Sequence, residues 1–262
     1  MIVQHTSKGG DPADLPLFYK APVVVCLEHH RDAGLAGMPE YGFCRDAAAI
    51  PIVAGEFPAA MRHYPIVFAM DEQASPLALV GIRKGHNLFI ERDGGWRSGS
   101  YLPAYVRRYP FIVLETPEGG QLLTIDQASE RFTPAGVEQN DDHRIFDAQG
   151  QPTQLTRSAM DFCFAFQIDH THTVTFAQAL KSAGLLMPYH ADFRLPDGAR
   201  HLIDGFHAVN EKAFRALPAD TVADWHVKGW LALVNFHLAS MHSFQNLLDL
   251  NAQRATERKA LA

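Results

Sequence analysis

Phe111-Ile-Val-Leu-Glu-Thr-Pro-Glu-Gly-Gly-Gln-Leu-Leu-Thr-Ile125 is two apolar runs folded back around Pro117-Glu-Gly-Gly120. So short a connection joins antiparallel neighbours, because parallel strands need a crossover of about a dozen residues. The pattern recurs upstream. Ile66-Val-Phe-Ala-Met70 and Leu77-Ala-Leu-Val80 flank a turn cluster at 71–76. Residues 87–91 and 96–97 flank Asp93-Gly94-Gly95, where glycine takes the positive φ of a tight turn. Val23-Val24-Val25-Cys26 and Ile50-Pro-Ile-Val53 read as further short strands. Downstream, 185–194 and 201–209 flank Leu195-Pro-Asp-Gly198, a type I turn signature.

Between these hairpins the pattern turns helical. Residues 153–168 carry an apolar face of Leu155, Met160, Phe162, Cys163 and Phe166. A second helix is expected after Thr173, stopped by Gly184. Asp220 or Thr221 caps a long C-terminal helix. Along it Trp230, Val234, His237, Met241, Phe244 and Leu248 recur at spacings of three and four. Strands gather in 20–125 and helices follow. The fold class is therefore α+β: a mainly antiparallel or mixed sheet with β-hairpins in the N-terminal half, helices in the C-terminal half and a long C-terminal helix. Residues 1–19 read as a loose lead-in, 20–253 as one domain, and the polar stretch 133–152 as the candidate point of subdivision.

Composition bounds the partners. The 262 residues are 47% hydrophobic, so a sizeable core can form. A net charge of −6 disfavours broad nucleic-acid binding, which needs clustered Lys and Arg. Cys26, Cys44 and Cys163 lack CxxC spacing and read as buried free thiols in a reducing compartment. The N-terminus lacks the basic-then-apolar order of a signal peptide. The most apolar long segment, 225–250, carries Lys228, Asn235, His237, His242, Gln245 and Asn246, which suits a core helix and not a membrane span.

No GxGxxG, P-loop, GxSxG or HExxH string is present, so no cofactor is expected. Histidine is abundant. His190-Ala-Asp192 has the spacing of two ligands of a two-His, one-carboxylate iron site, since residues two apart on a strand share a face. The third ligand would be His201, His207, His237 or His242. Register decides for His201: a two-residue loop sets it opposite Asp192, whereas a three-residue loop sets Leu202 there. Against this stands a surface or structural role for the pair. His170-Thr-His172 reads as a helix junction, with a metal-binding reading only if extended. His237, on the apolar stripe, reads as a hydrogen-bonded core histidine. Glu28, His29, His30 and Glu56 become acid/base candidates only where a pocket assembles around them.

The densest segment is 86–111. Here Asn87, Trp96, Tyr101, Tyr105, Arg107 and Arg108 crowd a hairpin and a helical turn bounded by Pro103 and Pro110. Guanidinium groups stack on rings and grip carboxylates bidentately. Those six residues are the candidate ligand-binding set, for a small anionic or peptide-like ligand. The competing reading is an Arg-aromatic cluster that pins the turn to the core.

Tyr101-Leu-Pro-Ala-Tyr-Val-Arg-Arg-Tyr-Pro-Phe111 resembles the signature of the SapC family of proteobacterial proteins. Ile50-Pro-Ile-Val53 with Glu56-Phe57, Tyr64-Pro-Ile-Val-Phe68, Gly85-His-Asn-Leu-Phe89 and Gly184-Leu-Leu186 also fit, as do Gly205-Phe206 through Leu217-Pro218 and the final helix. The resemblance covers about residues 20–250. The family takes its name from surface-layer protein secretion loci. Relatives occur beside TonB-dependent receptors, halogenase-like proteins and cupin-like proteins. The resemblance implies no catalytic residue. It implies a cytoplasmic accessory or binding protein of a bacterial cell-surface export, uptake or modification system, acting on a protein or small anionic or peptide-like ligand. The alternative expectation is a non-haem Fe(II) metalloenzyme using His190, Asp192 and a distant His.

Overall fold

The computed structural model describes residues 15–37, 40–116, 119–135, 143–194 and 200–259. In chain order its strands are β1 (Pro22–Val24), β2 (Gly34–Leu35), β3 (Ala49–Pro51), β4 (Ile66–Ala69), β5 (Pro76–Leu79), β6 (Phe111–Glu115), β7 (Gln121–Asp126), β8 (Phe132–Thr133), β9 (Leu186–Arg194) and β10 (Arg200–Val209). Its helices are α1 (Leu27–His30), α2 (Phe57–Ala60), α3 (Ala104–Arg107), α4 (Gln154–Ser182), α5 (Glu211–Arg215), α6 (Ala219–Val227), α7 (Trp230–Ser240) and α8 (Phe244–Lys259). Among the described residues these strands form three antiparallel sheets, and the fold is α+β.

The chain divides into two compact units. One comprises Met1–Glu40 and Arg107–Ile168, the other Tyr41–Val106 and Asp169–Ala262. The segment 133–152 lies inside the first unit, and the divisions fall elsewhere.

In the first unit the opening hairpin is β6–β7, with Val113 opposite Leu123 and Phe111 opposite Ile125. β1 adds to β7, and β2 pairs with β8. Alternate residues Phe111, Val113, Leu123 and Ile125 face a core closed by Ile145, Phe146 and Cys163. Leu155, Met160 and Phe164 of α4 pack on it. Thr153 and Thr156 tie the start of that helix to the Ile145 carbonyl. Tyr19, within the expected loose lead-in, is buried, and its hydroxyl donates to the Phe111 carbonyl at 2.6 Å.

In the second unit the sheet runs β3-β5-β4-β10-β9. β10 pairs with β4 only at Phe206–Ala69 and His207–Phe68. Two positions further, Val209 comes opposite Ile66, and there a side chain replaces the ladder. The Val209 N–H donates to His237 Nε2 at 3.0 Å, and His237 Nδ1 lies 2.8 Å from the Ile66 carbonyl. Nδ1 therefore carries the proton. Ser240 Oγ takes the Ile66 N–H at 2.9 Å. The apolar stripe of the sequence thus carries a hydrogen-bonded core histidine, as its spacing indicated. It is fully buried, and burial holds its pKa down at about 4.

Three expectations about elements change. Residues 153–182 hold one 29-residue helix and not two. No Gly or Pro interrupts them, and the threonines at the expected junction bond back to the helix: Thr173 Oγ1 to the Asp169 carbonyl, Thr175 Oγ1 to that of Thr171. His170 and His172 are two apart on a helix and so point to different sides. Gly184 stops the helix as expected, at φ +65°, with the Leu185 N–H on the Leu180 carbonyl. The C-terminal helix is present as 16-residue α8, but it begins later than the stripe suggested. Gly229 at φ +72° and a 3₁₀ turn at Met241–Ser243 separate it from α6 and α7. The expected strands at 87–91 and 96–97 shrink to a single bridge, Ile90–Trp96. Asn87 Oδ1 takes the Phe89 N–H that a longer ladder would need.

Among the described residues, no helix is long and apolar enough to cross a membrane.

Candidate functional site

The 86–104 segment is organised by a buried carboxylate. Glu56 sits at the end of a 3₁₀ turn that leads into α2. Its Oε2 accepts the Val53 N–H at 2.8 Å. Its Oε1 accepts the Ala104 N–H at 2.7 Å and the Tyr101 hydroxyl at 3.0 Å. One charge therefore satisfies the backbone entering two helical turns, as a carboxylate does at a helix N-terminus. The Tyr101 carbonyl accepts from Trp96 Nε1 at 3.1 Å and also from the Tyr64 hydroxyl. Trp96 stacks on Phe89 at 6.0 Å and meets Tyr41 edge-on at 6.1 Å. Burial pushes the Tyr64 phenol pKa up, so it acts as a neutral donor. Arg254 of α8 fixes the base of the turn, donating to the Ile90 carbonyl at 2.7 Å and to Glu91 at 3.2 Å.

Of the six candidate ligand-binding residues, Trp96 and Tyr101 are thus brought together, half-buried, in the second unit. Asn87 and Tyr105 are interior. Asn87 Nδ2 donates to the Cys44 carbonyl at 3.1 Å. Arg107 and Arg108 belong to the first unit. The Arg107 guanidinium is exposed and lies 5.0 Å over the Phe162 ring. That of Arg108 is buried, 4.4 Å over Phe166 and 5.8 Å over Tyr19. The two neighbouring cations therefore differ in role: one is packed inside, the other is held by a ring at the surface.

Tyr109, next in the string, donates to Asp126 at 3.1 Å. Fully buried Asp126 also accepts the N–H groups of Lys20, Ala21 and Ala128. Burial pushes the Tyr109 phenol up to about 12. His30 is interior as well, with Nδ1 on the Cys26 carbonyl and Nε2 beside Gln127. Burial lowers its pKa. Burial raises the Cys44 thiol to about 12 and the Cys163 thiol to about 11, so both stay protonated and unreactive.

His190 and Asp192 share one open cleft on β9–β10. The register sets Asp192 opposite Leu202 and His201 opposite Phe193, so His201 leaves the Asp192 row. Both nitrogens of His237 are occupied, and His242 Nδ1 lies 3.2 Å from the Ala239 carbonyl. Among the described residues, no group of three His, Cys, Asp or Glu side chains is arranged to hold a metal ion.

Sequence reasoning missed Tyr64 and the carboxylate of Asp204, which joins His190 in the cleft. Asp204 carried a signal: an isolated glycine follows it inside a strand, which marks a bulge. Tyr64 carried none beyond its place in the string Tyr64-Pro-Ile-Val-Phe68.

No curated protein and no solved structure matches the chain. The SapC family model matches residues 27–247 of the 262, a span that takes in Glu56, Tyr64, Trp96 and the whole 101–111 string, and the chain accordingly belongs to the SapC family.

Proposed function

We propose that the chain is a cytoplasmic accessory or binding protein of a bacterial cell-surface export, uptake or modification system. It recognises a protein or peptide-like ligand that carries a carboxylate. Its family, named from surface-layer secretion loci, supports the setting. The observation that carries the binding role is Arg107. Its guanidinium is exposed yet lies over Phe162, so less side-chain freedom is lost when it grips an anion. Arg108, buried over Phe166, belongs to the frame of the same unit; Asn87, Trp96, Tyr101 and Tyr105 lie in the other unit.

The test is co-purification from a bacterium that encodes the chain. Arg107→Ala loses the partner, with recovery down about tenfold, while melting within ~2 °C of the parent, since surface substitutions usually stay within about 0.5 kcal/mol. Arg108→Ala lowers the melting temperature instead. An Arg107→Ala protein that retains its partner at full recovery would refute the assignment.

A further inference from the structure

The two edges of the five-stranded sheet differ. β3 ends it on one side with three residues, Pro51 among them. β9 ends it on the other with nine residues, Leu186–Arg194, and among the described strands it pairs on one side only. An edge strand presents a row of unpaired N–H and C=O groups, which short length, proline, lysine or a bulge normally blunts. β3 is blunted by length and by proline. β9 contains no lysine, and its one proline, Pro188, stands near one end. No bulge turns β9 aside either. The pairing steps from Phe206–Tyr189 to Ile203–Ala191, so the extra residue belongs to β10 and β9 alternates strictly. Met187, Pro188, Tyr189, His190 and Asp192 are exposed, and the large apolar ones, Met187 and Tyr189, by 42% and 37%.

Alternation fixes what β9 offers. Met187, Tyr189, Ala191 and Phe193 share one face. The ring of Phe244, at the start of α8, marks that face, 6.4 Å from Tyr189 and 5.6 Å from Phe193. Along the edge, Pro188 sets the phase. A proline in an outer strand turns its nitrogen to the free side, where no ladder bond is lost. The N–H groups of His190 and Asp192, two and four residues on, therefore point to that same side. An antiparallel strand laid against β9 would take its bonds from these two residues.

We infer that a second copy of the chain supplies that strand, β9 pairing antiparallel with β9 about a two-fold axis at Ala191. In this register His190 stands opposite Asp192 of the second copy, and the two exchange both backbone bonds. On the Phe244 face, Tyr189 meets Phe193 of the second copy, an aromatic cross-strand pair that symmetry makes twice. Ala191 meets itself, and its small side chain lets the strands close at that narrow pair. An axis at His190 would place Pro188 within the paired set and one imidazole against the other, and the Ala191 axis does neither. The apolar row of β9 is thus complementary to itself, which an isologous interface requires. The pairing closes at two copies, removes both free edges and joins two five-stranded sheets into one. One strand pair covers less than the ~1,200 Å² of a typical stable interface, so the dimer is reversible, with a dissociation constant in the micromolar range. β9 and Arg107 belong to different units, and neither reading depends on the other.

The experiment is sedimentation velocity on the full chain from low to high micromolar concentration, with hydrogen exchange read by mass spectrometry at both ends of that range. A monomer–dimer equilibrium without larger species is expected, and peptides covering 187–193 take up deuterium more slowly at the high concentration. His190→Pro removes an N–H that faces the free side, and Tyr189→Lys sets a charge in the apolar row. Each raises the dissociation constant at least about tenfold while keeping a cooperative melt. Where one of the two fails to fold, the other decides. The inference is overturned by a monomer at every concentration, by a dimer whose protection lies outside 187–193, or by a folded variant that dimerises like the parent. Species that keep growing with concentration overturn it as well, because a two-fold pairing closes. A chain that stays monomeric and gains this protection only from an added strand peptide would assign the edge to a foreign partner instead.

Discussion

The imidazole of His237 closes a gap that the β4–β10 ladder leaves open, and it must be neutral to do so. Protonated Nε2 could not accept the Val209 N–H. Its folded pKa of about 4 lies below the unfolded value near 6.5, so the unfolded chain binds the extra proton. The contribution is complete above pH 6.5 and is lost as pH falls towards 4, to a total of about 3 kcal/mol. Urea unfolding at pH 7 and at pH 4.5 should show this loss in the parent. His237→Leu should be less stable at pH 7 and lose less between the two values. An equal slope in both proteins would contradict the assignment. Glu56 is the second residue of this kind. Glu56→Ala leaves the N–H groups of Val53 and Ala104 and the Tyr101 hydroxyl without their acceptor, and should cost about 3–5 kcal/mol, read from chemical denaturation. Both side chains stood out in the sequence, His237 by its helical spacing and Glu56 by its place in the family string. Which groups they meet did not show, because a partner can lie as far as 171 residues away along the chain.

At the scale of elements, the hairpins were the most legible part. β4–β5, β6–β7 and β9–β10 each pair as the antiparallel neighbours their residues indicated, while the turn positions 117–118 and 195–199 lie outside the described residues. Local chemistry is enough there, since a turn and two alternating runs fix the pairing. What failed was local reading where a side chain intervenes: threonines that back-bond kept α4 whole, and Asn87 cut a hairpin short. The candidate site was legible as a cluster of residue types but not as a division into frame and surface. Nothing in Arg107-Arg108 says which of the two cations meets Phe162 and which meets Phe166. Gly81 is another position set by distant contacts. A Cβ there would collide with the His86 carbonyl oxygen and crowd the Ala48 backbone. Gly81→Ala should therefore destabilise by about 1–3 kcal/mol, against a few tenths for most surface changes. A thermal melt checks it, and an unchanged midpoint would mean that the backbone there can yield.

At the scale of the whole molecule, the two units alternate along the chain, each assembled from two separate stretches. Composition had placed the candidate break at 133–152, where polar residues gather. The contacts divide the chain instead at 40/41, 106/107 and 168/169. The last two of these fall inside α3 and α4, where no loop signal exists to be read. A fragment of residues 153–262 should accordingly fail to fold. It keeps β9 and β10 but lacks β4, the partner of β10, and β3 and β5 beyond it. Circular dichroism would show no cooperative melt, and a sharp one would argue that the C-terminal half is self-sufficient.

The pairing of Phe206 with Ala69 has a consequence for biosynthesis. On the ribosome, β4 emerges and zips to β5 early, but its other neighbour is encoded far downstream. At ~5–20 residues per second, that side of the nascent strand waits roughly 10–30 s for β10. A bare, apolar strand flank held open that long is a natural client for chaperones, and overexpression that outruns them should favour inclusion bodies over native protein.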